Sequence, residues 1–133
     1  MKGFLMKIAD SSFLIALFDK YDQYHSQAKE LQKVNPNIAI TSAILWETVE
    51  YFIRKEGNKS GTDAGKRIFD SRIPILETDL TVYKNSLDVM EKYAQLSYCD
   101  AISVVALSGF KEKQIISFDS DFDLVPGIER IFK

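Results

Sequence analysis

A chain of 133 residues is the size of one domain and can bury roughly two-thirds of its unfolded surface. Its 46% apolar and 12% aromatic residues specify a packed globule and exclude a disordered chain. A single cysteine, Cys99, and a single histidine, His25, exclude an internal disulfide and a zinc centre of the usual kind. No apolar run approaches the ~18 residues of a membrane span, and Met1–Lys7 is too short and too charged for a signal peptide, so the expected setting is cytoplasmic. The formal charge of −2 does not decide for or against a polyanionic substrate, because acids gathered in one pocket would leave a positive surface elsewhere.

In chain order, the apolar Phe4-Leu5-Met6 and Ile8-Ala9 run stops at Asp10. Ser11 and Ser12 follow, and then Phe13, Leu14, Leu17 and Phe18 fall at helical spacing: a strand, a hinge carrying an acid, and a helix. Residues 19–24 read as a turn and 25–34 as a helix, closed by Asn35-Pro36-Asn37. Ile38-Ala39-Ile40 is a short buried strand. Thr41-Ser42 caps a helix to Lys55 that Glu56-Gly57-Asn58 stops. Residues 58–70 carry the spacing of a helix in Ala64, Ile68 and Phe69, although Gly61 and Gly65 each weaken one by up to ~1 kcal/mol. Ile73-Pro74-Ile75-Leu76 predicts a strand near a sheet edge, since Pro74 cannot donate to a ladder. Thr78 is expected to cap a long helix with Leu80, Tyr83, Leu87, Met90 and Tyr93 on one face. Ser97-Tyr98-Cys99-Asp100 opens another, ending at Gly109 as a C′ glycine. Gln114–Phe118 is the next strand, Asp119–Asp123 a loop, and Val125–Phe132 a last short element.

Strands alternating with helices predict a single α/β domain over residues 1–133, a three-layer α/β/α arrangement with a parallel sheet of about four to five strands. Asp10 and Asp119 then leave strands at one sheet edge, where ligands of open sheets bind. Glu47 and Asp100 stand near the starts of helices that begin at the same edge. Each acid alone has a plain structural role: Asp10 as an N-cap, Asp100 with Ser97 in a capping box, Asp119 and Asp121 in a loop, Glu47 as a helix charge. Four carboxylates converging beside Ser11, Ser12 and Ser117, with no evident structural cation, suit a hard divalent ion. His25 is expected on a helix surface, and Trp46 to pack rather than stack on a base. Arg54, Lys55, Lys59, Lys66, Arg67 and Arg72 outnumber the acids between them and form either an ordinary solvated face or an arm that tracks phosphates.

Asp10-Ser-Ser-Phe-Leu-Ile, Ser42-Ala-Ile-Leu-Trp-Glu47, Leu96-Ser-Tyr-Cys-Asp100-Ala-Ile-Ser and Ile116-Ser-Phe-Asp119-Ser-Asp-Phe-Asp together resemble, in order and spacing, the motifs of PIN-domain nucleases. They are most similar to those of VapC-type toxins of toxin–antitoxin pairs. The resemblance implies a PIN-like fold and endonucleolytic cleavage of single-stranded or loop RNA with Mg²⁺ or Mn²⁺, by water activated between two ions. By it Asp10, Glu47, Asp100 and Asp119 are catalytic metal ligands, Asp121 an auxiliary one, and Ser11 and Ser117 polar support. It further implies a homodimer held inactive by a small antitoxin. The rival reading is a PIN-like metal- and RNA-binding module that serves assembly of an RNA-processing complex.

Overall fold

The structure, a computed structural model, describes residues 6–133, so the Phe4-Leu5 lead-in and most of the Met1–Lys7 stretch lie outside the described residues. In chain order the elements are β1 (Lys7–Ala9), α1 (Ser11–Phe18), α2 (His25–Val34), β2 (Ile38–Thr41), α3 (Ser42–Glu56), α4 (Asn58–Asp70), β3 (Ile75–Leu76), α5 (Leu80–Lys92), α6 (Tyr98–Leu107), β4 (Gln114–Ile116) and β5 (Glu129–Ile131). A 3-10 turn, Ser120–Leu124, precedes β5. All five strands are parallel, in the order β3-β2-β1-β4-β5. This is the α/β layering that the alternating pattern predicts. Consecutive buried residues (Ile8-Ala9, Ile38 to Thr41, Ile115-Ile116) show that the central strands are covered on both faces. Strand order reverses between β1 and β4, which makes their carboxyl ends the switch point of the sheet.

The two glycines that weaken a helix over 58–70 have a tertiary reason. A Cβ at Gly61 would lie 2.3 Å from Ile53 Cγ1 and 3.1 Å from the Val49 carbonyl oxygen; one at Gly65 would lie 3.2 Å from Val49 Cγ2. Glycine therefore lets α4 lie directly on α3, with Ala64 and Ile68 buried beside it. The turn between them needs Gly57, at φ 95°.

Several boundaries differ from expectation. Asp79, not Thr78, caps α5, accepting from the Val82 amide, while the Thr78 amide donates to Ser42 Oγ. α6 ends at Leu107 with Ser108 as its cap, and Gly109 lacks the left-handed backbone of a C′ glycine. β4 stops at Ile116: the Ser117 amide still donates to the Ile131 carbonyl, and the Phe118 amide turns to Ser12 Oγ. β3 keeps only Ile75 and Leu76 at the sheet edge; the Pro74 carbonyl still accepts from the Ile40 amide.

Candidate active site

Asp10 follows the central strand directly and is the best-held acid of the chain. Its amide donates to the Ile116 carbonyl at 3.1 Å, across the switch point. Its Oδ1 accepts from Ser12 Oγ at 2.7 Å and from the Phe13 amide at 3.2 Å, and so caps α1. Its Oδ2 accepts from Ser117 Oγ at 2.7 Å. The residue is only 4% exposed. Burial pushes its carboxyl up to about 7, against the lowering effect of the Ser117, Ser12 and Phe13 donors and with a further push from the Asp100 charge.

The other acids come from three more segments. Glu47, in the second turn of α3, receives the Ser11 hydroxyl from α1. Asp100 and Ser97 form a reciprocal capping box on α6, both bonds 3.1 Å long. Burial first, then the charges of Asp119 and Glu47, push the Asp100 carboxyl up to about 6. Asp119 accepts from the Asp121 amide at 2.9 Å, and its own amide donates to Ser117 Oγ at 2.9 Å. The Asp119 charge raises the Asp121 carboxyl. Cys99 lies among the same groups: burial and the neighbouring Glu47, Asp100 and Asp10 keep its thiol protonated.

Asp10, Glu47, Asp100 and Asp119 thus share one electrostatic neighbourhood. The ion pairs seen among the described residues involve none of them. The donor set is all oxygen and anionic, the chemistry that a hard divalent cation requires. Among the described residues, however, no three His, Cys, Asp or Glu side chains are gathered as a ready metal cage. The Ser11 hydroxyl, the Ser97 amide and the Asp121 amide each engage one carboxylate oxygen, of Glu47, Asp100 and Asp119 respectively.

The basic residues lie elsewhere. Lys59 and Arg67 line a cavity of about 860 Å³ around the C-terminal end of α1, with Asp19, Lys29, Glu56 and Asp63. Lys55 pairs with Asp19 at 2.7 Å and Lys59 with Asp63 at 3.3 Å. Arg67 donates to the Phe18 carbonyl and covers the Phe18 ring. Phe18 is eight residues beyond Asp10, so about 12 Å of helix separates these cations from the acid site. Arg54, Lys66 and Arg72 are exposed, Arg72 at φ 63°. His25 Nδ1 meets the Ala16 carbonyl at 2.7 Å, away from the acids. Trp46, expected to pack, is 66% exposed.

The PIN domain matches residues 7–128. The chain belongs to the PIN-domain family. The PIN-domain chain is 31% identical over 78 residues to a VapC ribonuclease of Mycobacterium bovis and, to the same extent, to Ribonuclease VapC13 of Mycobacterium tuberculosis. Those alignments cover 59% of this chain and 57% of each relative, so the chain spans just over half the length of these curated relatives. Its fold superposes on Mycobacterium tuberculosis VapC20, described as a Sarcin-Ricin loop cleaving toxin, with a TM-score of 0.79 at 20% identity over 92% of this chain and 96% of that one. A toxin–antitoxin complex from Klebsiella pneumoniae gives 0.67 at 20% identity, over 92% and 94%.

Ser12, in sequence only a residue flanking the acids, donates to Asp10 and also accepts the Phe118 amide at 3.0 Å. Its position two residues after the acid was the available signal. The aromatic side chains Tyr24, Tyr51 and Phe118, which border the acids, have no such signal, because a turn, a helix and a strand end bring them together.

Proposed function

We propose that this PIN-domain protein is a metal-dependent endoribonuclease that cleaves single-stranded or loop RNA, and that it is the toxin of a toxin–antitoxin pair. The observation that carries this reading is the buried Asp10 carboxyl at the switch point, held by two serine hydroxyls and electrostatically joined to Asp100. The names of its relatives, VapC ribonucleases, and of its structural neighbours, toxins and toxin–antitoxin complexes, support it.

Asp10, Glu47, Asp100 and Asp119 are the candidate ligands of Mg²⁺ or Mn²⁺. Bound there, such an ion supplies charge stabilisation for a phosphodiester and a water of lowered pKa. The residues do the rest. Ser12 and Ser117 fix the direction of both Asp10 oxygens, Ser11 holds Glu47 toward α1, and the Ser97 capping box aims Asp100. The Asp121 amide supports Asp119 from the first turn of the 3-10 helix that Asp119 caps. Water is the nucleophile in this reading, leaving a 5′-phosphate and a 3′-hydroxyl. A small antitoxin and a second copy of the chain are the inferred partners. Exposed Leu80 and Leu87 on α5 are the surface to test for the latter.

Incubation of the purified chain with a mixed RNA pool, with Mn²⁺, with Mg²⁺ and with chelator, tests the reading. Internal cleavage with either ion, lost with chelator and in Asp10→Asn, is expected. RNA that is bound but left intact under every condition would favour the assembly-module reading instead.

A further inference from the structure

A second cleft of about 260 Å³ adjoins the acids and shares Ser12 and Asp119 with them. Tyr24, Tyr51 and Phe118 supply three of its walls, with Ile15, Asp22 and Gln23 between them. The Tyr24 and Phe118 rings stack, with centroids 4.5 Å apart and planes within 11°. One face of Tyr24 is therefore taken, yet the residue remains 37% exposed.

Each wall is tied to the acid site by a short path. Phe118 lies between Ser117, which bonds Asp10, and Asp119, and its amide donates to Ser12 Oγ at 3.0 Å. Tyr51 follows Glu47 by four residues on α3 and so stands on the same face, about 6 Å further along. The Tyr24 amide donates to Asp22 Oδ1 at 2.8 Å, which fixes the turn that presents the ring. The cleft is thus a continuation of the acid site by about one helical turn, tied at Phe118 to the serine that bonds Asp10.

Its size and chemistry select one occupant. The volume lies just below the ~300–1,000 Å³ of pockets for drug-sized molecules. Tyr24 and Phe118 offer π-faces, while the Tyr51 ring already has Lys55 Nζ 5.7 Å from its centroid, a cation whose charge is paired with Asp19. A phosphate would meet Asp22 and Asp119 there; a flat, uncharged ring would meet aromatic faces. Single-stranded nucleic acid places such rings next to every phosphate, and stacking on aromatic side chains is how they are held without strong sequence preference.

We propose that this cleft is a nucleobase subsite, which receives by stacking the base of a nucleotide adjoining the phosphodiester addressed by the acids. It rests on the ribonuclease reading above. Tyr24 and Phe118 are positioning residues for substrate, and they touch no reacting atom.

The test uses the full chain, Mn²⁺, and an RNA oligonucleotide that the wild type cuts at one bond, with the base removed in turn from each flanking nucleotide. Tyr24→Leu is expected to raise KM by roughly 5- to 150-fold, the range of one base–aromatic stack, with a smaller effect on kcat. Tyr24→Phe should recover most of the loss, and melting temperatures of both variants report folding. At one flanking position the abasic oligonucleotide should cost the wild type a similar factor and cost Tyr24→Leu little more. If the abasic penalties in wild type and variant are the same at every position, no base stacks on Tyr24 and the subsite is refuted while the nuclease stands. If the wild type neither binds nor cuts RNA, both readings fall. If Tyr24→Leu leaves RNA kinetics intact and loses only a co-expressed protein partner, the cleft belongs to that partner and the proposal is overturned.

Discussion

Replacing Asp10 with asparagine should stabilise the metal-free protein while abolishing its chemistry. Burial holds the Asp10 carboxyl at about 7 in the folded chain, against an ordinary value of 3.8. Below about pH 4 both folded and unfolded chains carry the proton, and the residue costs nothing. Between those two values the unfolded chain ionises and the folded one does not, so stability falls as pH rises. About three pH units at 1.36 kcal/mol each make the full cost about 4 kcal/mol above pH 7. Asparagine keeps the shape and cannot ionise. Its amide must face Ser117 Oγ, which already accepts the Asp119 amide, and that mismatch returns about 1 kcal/mol. A net gain of about 3 kcal/mol at pH 8, roughly 10 °C in melting temperature, is expected in the presence of chelator. Urea unfolding at pH 5 and pH 8 measures it. Saturating Mn²⁺, at ~100 times its dissociation constant, should add ~2.7 kcal/mol to the wild type and little to the variant. An Asp10→Asn protein that is no more stable than wild type at pH 8 without metal would refute the burial argument.

Gly61→Ala should destabilise by about 1–3 kcal/mol, since the added methyl meets a backbone oxygen as well as Ile53, whereas Gly65→Ala, facing only a Val49 methyl, should cost less; chemical unfolding of the two variants checks the order. Asp119→Asn should lose most metal-dependent cleavage and Asp121→Asn clearly less, because the Asp121 contact to Asp119 is made by its backbone amide, which the substitution keeps; cleavage rates of both folded variants decide it. Arg67→Ala should lower the melting temperature through its lost contacts to Phe18, while exposed Lys66→Ala should leave it unchanged; if Lys66 touches RNA phosphate, the slope of log affinity against log salt falls by about 0.7.

The opening unit was legible because its periodicity changes at Asp10 from a short buried run to helical spacing, and both halves are core. Pro74 marked the sheet edge for an equally local reason. Where the reading faltered, the cause lay at a distance. Gly61 and Gly65 argue against a helix by propensity and are required in one by the approach of α3. Gly109 has the local look of a helix stop, yet Ser108 ends α6 without it. Tyr24, Tyr51 and Phe118 lie far apart in the chain, and only the β1–β4 switch point makes them neighbours.

The acids were hard to judge for a different reason: their structural and functional roles coincide. Asp10 caps α1, Asp100 closes a capping box on α6, and Asp119 caps the 3-10 turn, so each satisfies amides that any N-terminus leaves free. Those caps are what bring the carboxylates to one edge of the sheet. Helix N-termini offset part of the negative charge, a few tenths to about 1 kcal/mol for each carboxylate. That is less than the about 4 kcal/mol that still weighs on the Asp10 carboxylate after its hydrogen bonds have offset part of the burial. The shortfall has two remedies, a proton on Asp10 or Asp100 or a cation shared among the acids. Both act on the same oxygens, so proton and cation compete. Metal affinity should therefore climb with pH until these two carboxyls are ionised, and level off above about 7, a dependence that Asp10→Asn and Asp100→Asn should each flatten.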